Sequence, residues 1–370
     1  MLLCWTLIFL LFSTAVSGNI STDKHIQCAC TPKKLWLDIV IAIDVSAKTN
    51  GERLAQITNS ITALTSQFTF DRNDKRHVRL GITTFAKGTK MTETDITSFD
   101  DVMRALNKVT TTTDEVANLT SGLLSSKELH RESRSNARDV LIIYSSSSTK
   151  ATEDSNVTKI ADYIKGSETQ IITIAASEDD EVQNLLEEIS SPEMSFTLPH
   201  HDLMGNLLHS LCQANCYCPL KWHQLVVHGK RYGECFFFTK IDANWNAARN
   251  ACKRIRPDSR LAHVSNEEEH EALKDLAIAT HKELENPNPI HYHIGLSYND
   301  ELGTYTWEGG VEDITYSNWD TNYPDLSKGK CVRAEMKSET EVVWRNVPCS
   351  KTPSKAMCQT VACDTENYCS

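Results

Sequence analysis

Hydrophobic and polar positions change their pattern along the chain of 370 residues, and these changes mark out its segments. The first segment is an apolar run at 1–12, which small residues at 15–17 follow. This pattern is typical of a signal peptide at 1–17. The alternative is a membrane anchor, but the run is short for a bilayer span and the C-terminal residues are polar. We therefore expect a secreted, extracellular protein with no transmembrane anchor.

Within residues 34–212, apolar runs of strand length alternate with stretches in which apolar residues recur every three or four positions. Continuous β-branched runs predict strands buried in a parallel sheet, at 35–43, 78–85, 140–144 and 170–174, with a short strand at 194–198. Helical spacing predicts helices at 54–68, 99–106, 119–130, 157–164, 182–189 and 203–211. The alternation predicts a doubly wound α/β sheet with helices on both faces.

Residues 218–361 have shorter and more varied patterns, which predict an α+β domain. A hairpin at 218–238 precedes a helix for which Asp242 is a suitable N-cap. Ser265 and Glu268 have the spacing of a capping box, which predicts the start of a second helix. Alternating residues predict strands at 291–296 and 303–310. The remaining parts are an N-terminal segment at 18–33, a linker at 213–217 and a C-terminal tail at 362–370.

The chain has 13 cysteines, and the region between Cys30 and Cys212 contains none of them. Setting aside Cys4 leaves an even number, which suits a disulfide framework in an oxidising compartment. Cys28 and Cys30 precede the first domain, and Cys212 and Cys216 follow its last helix. Because the ends of a doubly wound domain can be neighbours, two bridges could close it. A zinc site is the alternative, which the oxidising compartment disfavours.

The net charge of −11 comes without any Lys/Arg run, so nucleic acid is not an expected partner. N-glycosylation motifs begin at Asn19, Asn118 and Asn156. The sequence has no metalloprotease, nucleophile-elbow or phosphate-loop motif, and we predict that the protein is not an enzyme.

Two segments of the first domain resemble the von Willebrand A family. Residues 37–46 resemble its first strand, which ends in D-x-S-x-S, and residues 79–85 resemble its R-V-G strand. The resemblance implies a divalent cation at the C-terminal edge of the sheet, bound by oxygen ligands.

The ligand positions of that cation site are only partly kept. Asp44 and Ser46 remain, but Lys48 replaces the second Ser, Ala117 stands at a Thr position and Ser145 stands at an Asp position. We expect the site to be lost, with the Lys48 ammonium repelling a cation and able to pair with Asp44. Alternatively, Asp44 is an ordinary carboxylate at the end of a strand.

The second domain resembles the C-type lectin-like fold. Residues 262–269 match the segment before the family's second helix, 293–296 stand for W-I-G-L, and 318–319 are the N-W before the long loop. The resemblance implies the pairs Cys252–Cys358, Cys331–Cys349 and Cys218–Cys235. Cys363 and Cys369 would then close a small local loop.

Sugar-binding members of this family hold a Ca²⁺ ion that coordinates the sugar. Here Tyr323-Pro324-Asp325 replaces E-P-N or Q-P-D, Gly329 replaces a Glu, and Arg345-Asn346 replaces the N-D of W-N-D. Ca²⁺ takes about 6–8 oxygen ligands, so we expect neither calcium nor any other cofactor. Pro324 could still be cis, as its counterpart in the family is.

The altered surface offers aromatic and guanidinium groups, namely Trp319, Tyr323, Arg333 and Arg345, which are typical of protein-binding hot spots. They could also contact a sugar ring without metal. The alternative for Trp319, and for Trp344, is a place in the core. His291 and His293 share a strand face, but a metal pair there lacks a third ligand.

We predict a secreted recognition or adhesion protein whose partners are glycans, glycoproteins or other extracellular proteins. The resemblance implies carbohydrate binding, which we expect not to use the usual calcium site, and a role in innate immune defence. The alternative is a protein-binding or extracellular-matrix component without glycan activity.

Overall fold

The computed structural model describes residues 25–70, 76–130, 134, 136–147, 151–284, 289–309, 314–338 and 340–369, and at 151–155 only the backbone. The predicted signal peptide and Asn19 lie outside these residues. Within them, no helix combines the length and apolar character needed to cross a membrane.

The first domain contains a six-stranded sheet with the order β3-β2-β1-β4-β5-β6. All neighbouring strands are parallel except β2 and β3. Every residue of β1 is buried, as its continuous apolar sequence predicts for a central strand. The strands are β1 (Leu37–Asp44), β2 (Arg79–Phe85), β3 (Thr89–Ile96), β4 (Arg138–Ser145), β5 (Gln170–Ala175) and β6 (Ser195–Thr197).

Helices cover both faces of this sheet, which confirms the doubly wound prediction. Ile39 and Ile41 of β1 pack with α1, α2 and α6, whereas Val40 and Ala42 pack with α3, α4 and α5. This division follows from the alternation of side chains along a strand. The helices are α1 (Gly51–Thr65), α2 (Phe99–Leu106), α3 (Leu119–Leu129), α4 (Ala151–Gly166), α5 (Asp180–Ile189) and α6 (Leu203–Ala214).

The second domain is α+β, as predicted. Its sheet has the order β13-β12-β10-β14-β8-β7, with β11 beside β10 and β9 beside β14. The elements are β7 (His223–Val227), β8 (Lys230–Phe238), α7 (Trp245–Ile255), β9 (Arg260–Leu261), α8 (Glu267–Glu283), β10 (His291–Asn299), β11 (Thr304–Trp307), β12 (Cys331–Met336), β13 (Val342–Val347) and β14 (Lys355–Val361).

Both helices of the second domain begin at caps that differ from the predicted ones. Asn244, not Asp242, caps α7, and its side chain accepts a hydrogen bond from the N–H of Ala247. Asp242 instead forms an ion pair of 3.2 Å with Lys355.

The cap of α8 lies one residue later than the predicted capping box. Asn266 accepts a hydrogen bond from the N–H of Glu269, and the carboxylate of Glu269 accepts one from the N–H of Ser265. The side chain that completes the box is therefore Glu269, which is buried, whereas Glu268 is exposed. The N-cap is therefore Asn266, and the predicted box of Ser265 and Glu268 is wrong.

Six disulfides lie within the described residues. Three have the pairing that the C-type lectin resemblance implies, and Cys363–Cys369 closes the local loop at the C-terminus. Two further disulfides fasten the N-terminal segment to the end of the first domain. Cys30 is bonded to Cys212 in the last turn of α6, and Cys28 is bonded to Cys216, two residues after the helix.

Trp36 joins the first domain to the C-terminal tail. Its ring centroid lies 5.4 Å from that of Tyr217 and 4.4 Å from that of Tyr368, and its indole N–H donates to the carbonyl of Asp364 at 3.2 Å. Tyr217 and Cys363 exchange backbone hydrogen bonds of 3.2 and 2.8 Å. The tail therefore packs against the start of the first domain as well as the second.

Candidate functional site

The candidate ligand surface of the second domain is built from the loop between β11 and β12, from the edge strand β13 and from its neighbour β12. The loop is anchored to β13, since the N–H of Asp320 donates to the carbonyl of Trp344 and the N–H of Trp344 donates to that of Asn318. Trp344 is fully buried, as its core alternative predicts, whereas Trp319 is half-buried. The backbone of Trp344 thus anchors the loop beside β13.

Tyr323, Pro324 and Asp325 form the outer turn of this loop, and the Tyr323–Pro324 peptide bond is cis. The Tyr323 ring is half-buried, and the ammonium of Lys328 lies 4.2 Å from its centroid. Asp325 caps the short 3₁₀ helix Leu326–Lys328, where its carboxylate accepts hydrogen bonds from the hydroxyl and N–H of Ser327. These hydrogen bonds lower the pKa of Asp325.

Asn346 and Gly329 hold the inner side of the loop. The Asn346 carbonyl accepts from the N–H of Asp325 at 2.9 Å, and its amide donates to the carbonyls of Asp325 and Gly329. Gly329 has φ +137°, and a Cβ there would lie 2.1 Å from the carbonyl carbon of Val347. No other residue fits at 329 in this conformation. Asn346 is 1 % exposed and bonds to the loop backbone, so it positions the loop, and its ligand role stays a prediction.

Arg345 lies at the centre of an ion-pair network. Its Nε and Nη2 atoms lie 2.8 and 2.7 Å from Asp320 Oδ2, and its Nη1 donates to Glu335 at 2.7 Å. The other oxygen of Asp320 accepts from Lys337 at 2.8 Å. Glu335 also accepts a hydrogen bond from Arg333, so the Arg333 guanidinium has a carboxylate partner within the network as well.

The C-terminal edge of the sheet in the first domain, where the family resemblance implies a cation, is organised around Asp44, which is fully buried. Its Oδ1 accepts from the N–H of Ser46 at 2.8 Å. Its Oδ2 accepts from the hydroxyls of Ser145 and Ser147, at 3.0 and 2.9 Å, and from the N–H of Ser146 at 2.9 Å. The serine run at 145–147 thus satisfies the carboxylate.

The predicted pairing of Lys48 with Asp44 is wrong. Lys48 is exposed at the surface, while the donors to Asp44 come from the end of β4 and from Ser46. Ala117 does lie at this edge, and its N–H donates to the hydroxyl of Ser147 at 3.0 Å. The charged end of a long side chain at 48 is more stable in water than in the protein interior.

Two family models match the chain. The model of the von Willebrand factor type A domain matches residues 38–209, and that of the lectin C-type domain matches residues 241–360. The chain consists of a von Willebrand factor type A domain followed by a C-type lectin domain. Neither match reaches the N-terminal segment or the tail.

The chain is similar to several known proteins. The chain is 33% identical over 362 residues to C-type lectin domain-containing protein 160 of Caenorhabditis elegans, covering 93% of this chain and 56% of that protein. It therefore spans about half the length of that relative. It is 28% identical over 140 residues to C-type lectin mosGCTL-7 of Aedes aegypti, covering 36% of this chain and 86% of that protein. Human lithostathine is 20% identical with a TM-score of 0.32, covering 39% and 90% of the two chains.

The residues of the C-type lectin domain do not fit a Ca²⁺ ion at the sugar-binding position. The atoms of Asn346 are used by the loop backbone, Gly329 offers no side chain, and the Arg345 guanidinium places a cation there. Ca²⁺ prefers about 6–8 oxygen ligands.

The edge of the von Willebrand factor type A domain does not fit Mg²⁺ either. Among the described residues, the carboxylate of Asp44 already accepts four hydrogen bonds, and the hydroxyls beside it bond to it or to one another. Mg²⁺ requires near-octahedral oxygen coordination and gives up water reluctantly.

The ion-pair network includes three residues that the sequence reasoning missed: Asp320, Glu335 and Lys337. One signal could have found part of it, because Arg333 and Glu335 alternate along β12 and so share one face of the sheet. The histidine pair on β10 is a separate candidate.

His293 is buried against the carbonyls of Ala243 and Thr352, which disfavours a metal pair with His291.

The candidate glycosylation sites differ in accessibility. Asn156 is exposed on α4. Asn118 is half-buried at the N-terminus of α3, where its side-chain oxygen accepts from the N–H of Ser121.

Asp320 should make the stability of the C-type lectin domain depend on acidic pH. Hydrogen bonds from Lys337 and Arg345 lower the pKa of Asp320 from 3.8 to about 2. A carboxylate with a lowered folded-state pKa stabilises the fold above its unfolded pKa and loses this effect as the pH falls through the folded value. The difference in unfolding free energy between wild type and Asp320→Asn should therefore be constant above about pH 5 and shrink between about pH 4 and 2.

Urea unfolding across this pH range measures the difference. Asp300→Asn, which removes an exposed carboxylate paired with Lys330, is the matched control. A difference that stays constant down to about pH 2 would contradict the lowered pKa of Asp320.

Proposed function

We propose that the C-type lectin domain recognises glycans or glycoproteins without calcium, through the surface around Tyr323, Pro324, Asp325 and Arg345. The observation that carries this proposal is the Tyr323 ring, which lies beside two cations, Lys328 at 4.2 Å and Arg345 at 5.6 Å. An aromatic side chain can pack on the C–H face of a sugar ring, and the exposed ammonium of Lys328 favours carboxylate or sulfate groups, whereas Arg345 is already paired with Asp320 and Glu335.

The loop that carries Tyr323 is preorganised for such contacts. Asn346 fixes its inner side, and the Arg345–Asp320 pair fixes its base, so less conformational entropy is lost on binding. The same internal bonds replace a metal as the element that shapes the loop.

We further propose that the protein is secreted, acts in recognition or adhesion outside the cell and has no catalytic role. Six disulfides in the described residues support an oxidising compartment. A role in innate immune defence belongs to the same proposal and rests on the lectin relationship alone.

Glycan-array binding in the presence of EDTA tests the calcium-independent site. We expect binding to be equal in EDTA and in Ca²⁺, and Tyr323→Ala to weaken it at least about tenfold, since truncating a hot-spot aromatic costs about 2 kcal/mol or more. Tyr163→Ala is the control, because Tyr163 is 71% exposed on the other domain. Binding abolished by EDTA, or unchanged in Tyr323→Ala, would contradict the proposal.

A second candidate function is protein binding or a structural role in the extracellular matrix, without glycan activity. It is favoured by Asp44 and Arg345, which lie where the family resemblances imply a cation and which both form internal bonds instead. An array without any bound glycan would support this candidate.

A further inference from the structure

Three buried side chains with metal-ligating atoms meet at the junction of the N-terminal segment and the C-type lectin domain. They are His25, Glu234 on β8 and Glu269 on α8, which are 9%, 4% and 1% exposed. Their donor atoms all lie within 4.8 Å of one another. Neither family match includes His25 or Glu234.

The local sequence explains why these residues meet. Gly233 donates its N–H to the carbonyl of Ile26 at 2.6 Å, and a Cβ at 233 would lie 3.1 Å from the Ile26 side chain and 3.2 Å from that carbonyl. The N-terminal segment therefore lies directly on β8, where Cys28–Cys216 secures it. The first turn of α8 directs Glu269 towards the same point.

The spacing of the donor atoms suits a small tetrahedral cation. His25 Nδ1 lies 3.2 Å from Glu269 Oε1 and 3.9 Å from Glu234 Oε2. Zinc bonds of about 2.0–2.2 Å place tetrahedral ligands roughly 3.3–3.5 Å apart. Small side-chain rotations would bring all three atoms into that range.

Each carboxylate is oriented by a hydrogen bond from outside the cluster. Gln359 donates to Glu234 Oε1 at 3.0 Å, while the N–H of Ser265 donates to Glu269 Oε2 at 2.7 Å. Asn266 donates to Glu269 Oε1 at 2.9 Å. Such outer partners hold ligands in place in known metal sites.

The charges of the cluster also favour a cation. Two carboxylates exceed the single positive charge that one imidazole can carry, and all three side chains are buried. The neighbouring Tyr232 ring, whose centroid lies 4.6 Å from that of His25, adds no charge. The ammonium of Lys230 lies 5.1 Å from the centroid of the Tyr232 ring. A dication would balance both carboxylates in this interior.

We propose that His25, Glu234 and Glu269 bind a zinc-class divalent cation, with water at the fourth position, and that this ion fastens the N-terminal segment to the C-type lectin domain. An imidazole nitrogen with two carboxylates suits zinc, whereas Ca²⁺ prefers about 6–8 oxygens. The site is distinct from the Tyr323 surface and does not depend on its function.

Zinc titration of the full chain after EDTA treatment tests the site. We expect stoichiometric zinc by mass spectrometry, and a thermal unfolding midpoint raised by several degrees at about 100 times the dissociation constant, with no response to Ca²⁺. His25→Gln and Glu269→Gln should abolish the zinc response. Glu268→Gln, on the adjacent exposed residue, and His223→Gln, on another exposed histidine, should retain it.

Hydrogen exchange provides a second measurement if a variant folds poorly. Zinc should slow exchange at the Gly233 N–H, which bonds to the N-terminal segment, in wild type. Absence of stoichiometric zinc in wild type, or an equal zinc response in Glu269→Gln, would overturn the proposal. Stability that changes with pH but not with zinc would assign the cluster to a proton instead. Glycan binding should be the same with and without zinc, so this outcome is separate from that of the Tyr323 experiment.

Discussion

Replacement of Asp44 by alanine should lower the free energy of unfolding by about 3–5 kcal/mol, because buried donors lose their acceptor. Asp44 is fully buried and accepts hydrogen bonds from Ser46, Ser145, Ser146 and Ser147. Their N–H and hydroxyl groups would have neither the carboxylate nor bulk water as a partner. Urea unfolding of the two proteins measures the loss.

Two controls separate this effect from the removal of any aspartate. Asp179→Ala removes an N-cap whose side chain accepts from Glu181, and we expect a loss of only about 1 kcal/mol. Addition of Mg²⁺ should leave the unfolding midpoint of wild type unchanged. A midpoint that rises with Mg²⁺ in wild type but not in Asp44→Ala would show that Asp44 binds a cation after all.

The buried strands were predictable because burial on both faces leaves a continuous apolar sequence. β1, β4 and β5 all have that character and were predicted. β3 was missed because it is an edge strand with mostly exposed or half-exposed residues, so its polar sequence lacks the apolar signal. Its antiparallel pairing with β2, and not its own composition, makes it a strand.

The sequence identifies the positions of the candidate site at which a family motif is altered, but it does not predict the contacts that these residues make. Tyr323, Gly329 and Arg345 stand out in the sequence as replacements. The partner of Arg345 is Asp320, 25 residues away, and only the fold brings the two side chains together. Likewise, His25 and Glu269 are 244 residues apart, so no sequence spacing indicates their contact.

Trp36 explains the position of the C-terminal tail. The sequence predicts only a local loop between Cys363 and Cys369, whereas the structure packs Tyr368 of that loop on Trp36. Asp364 supports the contact, since its carboxylate accepts from the N–H of Ala29 at 2.8 Å. The N-terminal segment, the first domain and the tail are therefore bound to one another.

Trp36→Ala should cost about 3–5 kcal/mol of unfolding free energy, as for other large-to-small changes at buried tryptophans. Trp36 is 1% exposed, and its loss would leave a cavity between Tyr217 and Tyr368. Trp36→Phe keeps an aromatic ring but loses the hydrogen bond to Asp364, and we expect a smaller loss that includes about 1 kcal/mol for that bond.

Hydrogen exchange at the N–H of Cys363 distinguishes a local cavity from release of the tail. That N–H donates to the carbonyl of Tyr217 at 2.8 Å, so it should exchange faster in Trp36→Ala and change little in Trp36→Phe. If Trp36→Ala loses under about 1 kcal/mol with unchanged exchange at Cys363, the aromatic contact does not hold the tail, and the disulfides alone do. If both change as expected, Trp36 holds the C-terminal tail against the start of the first domain.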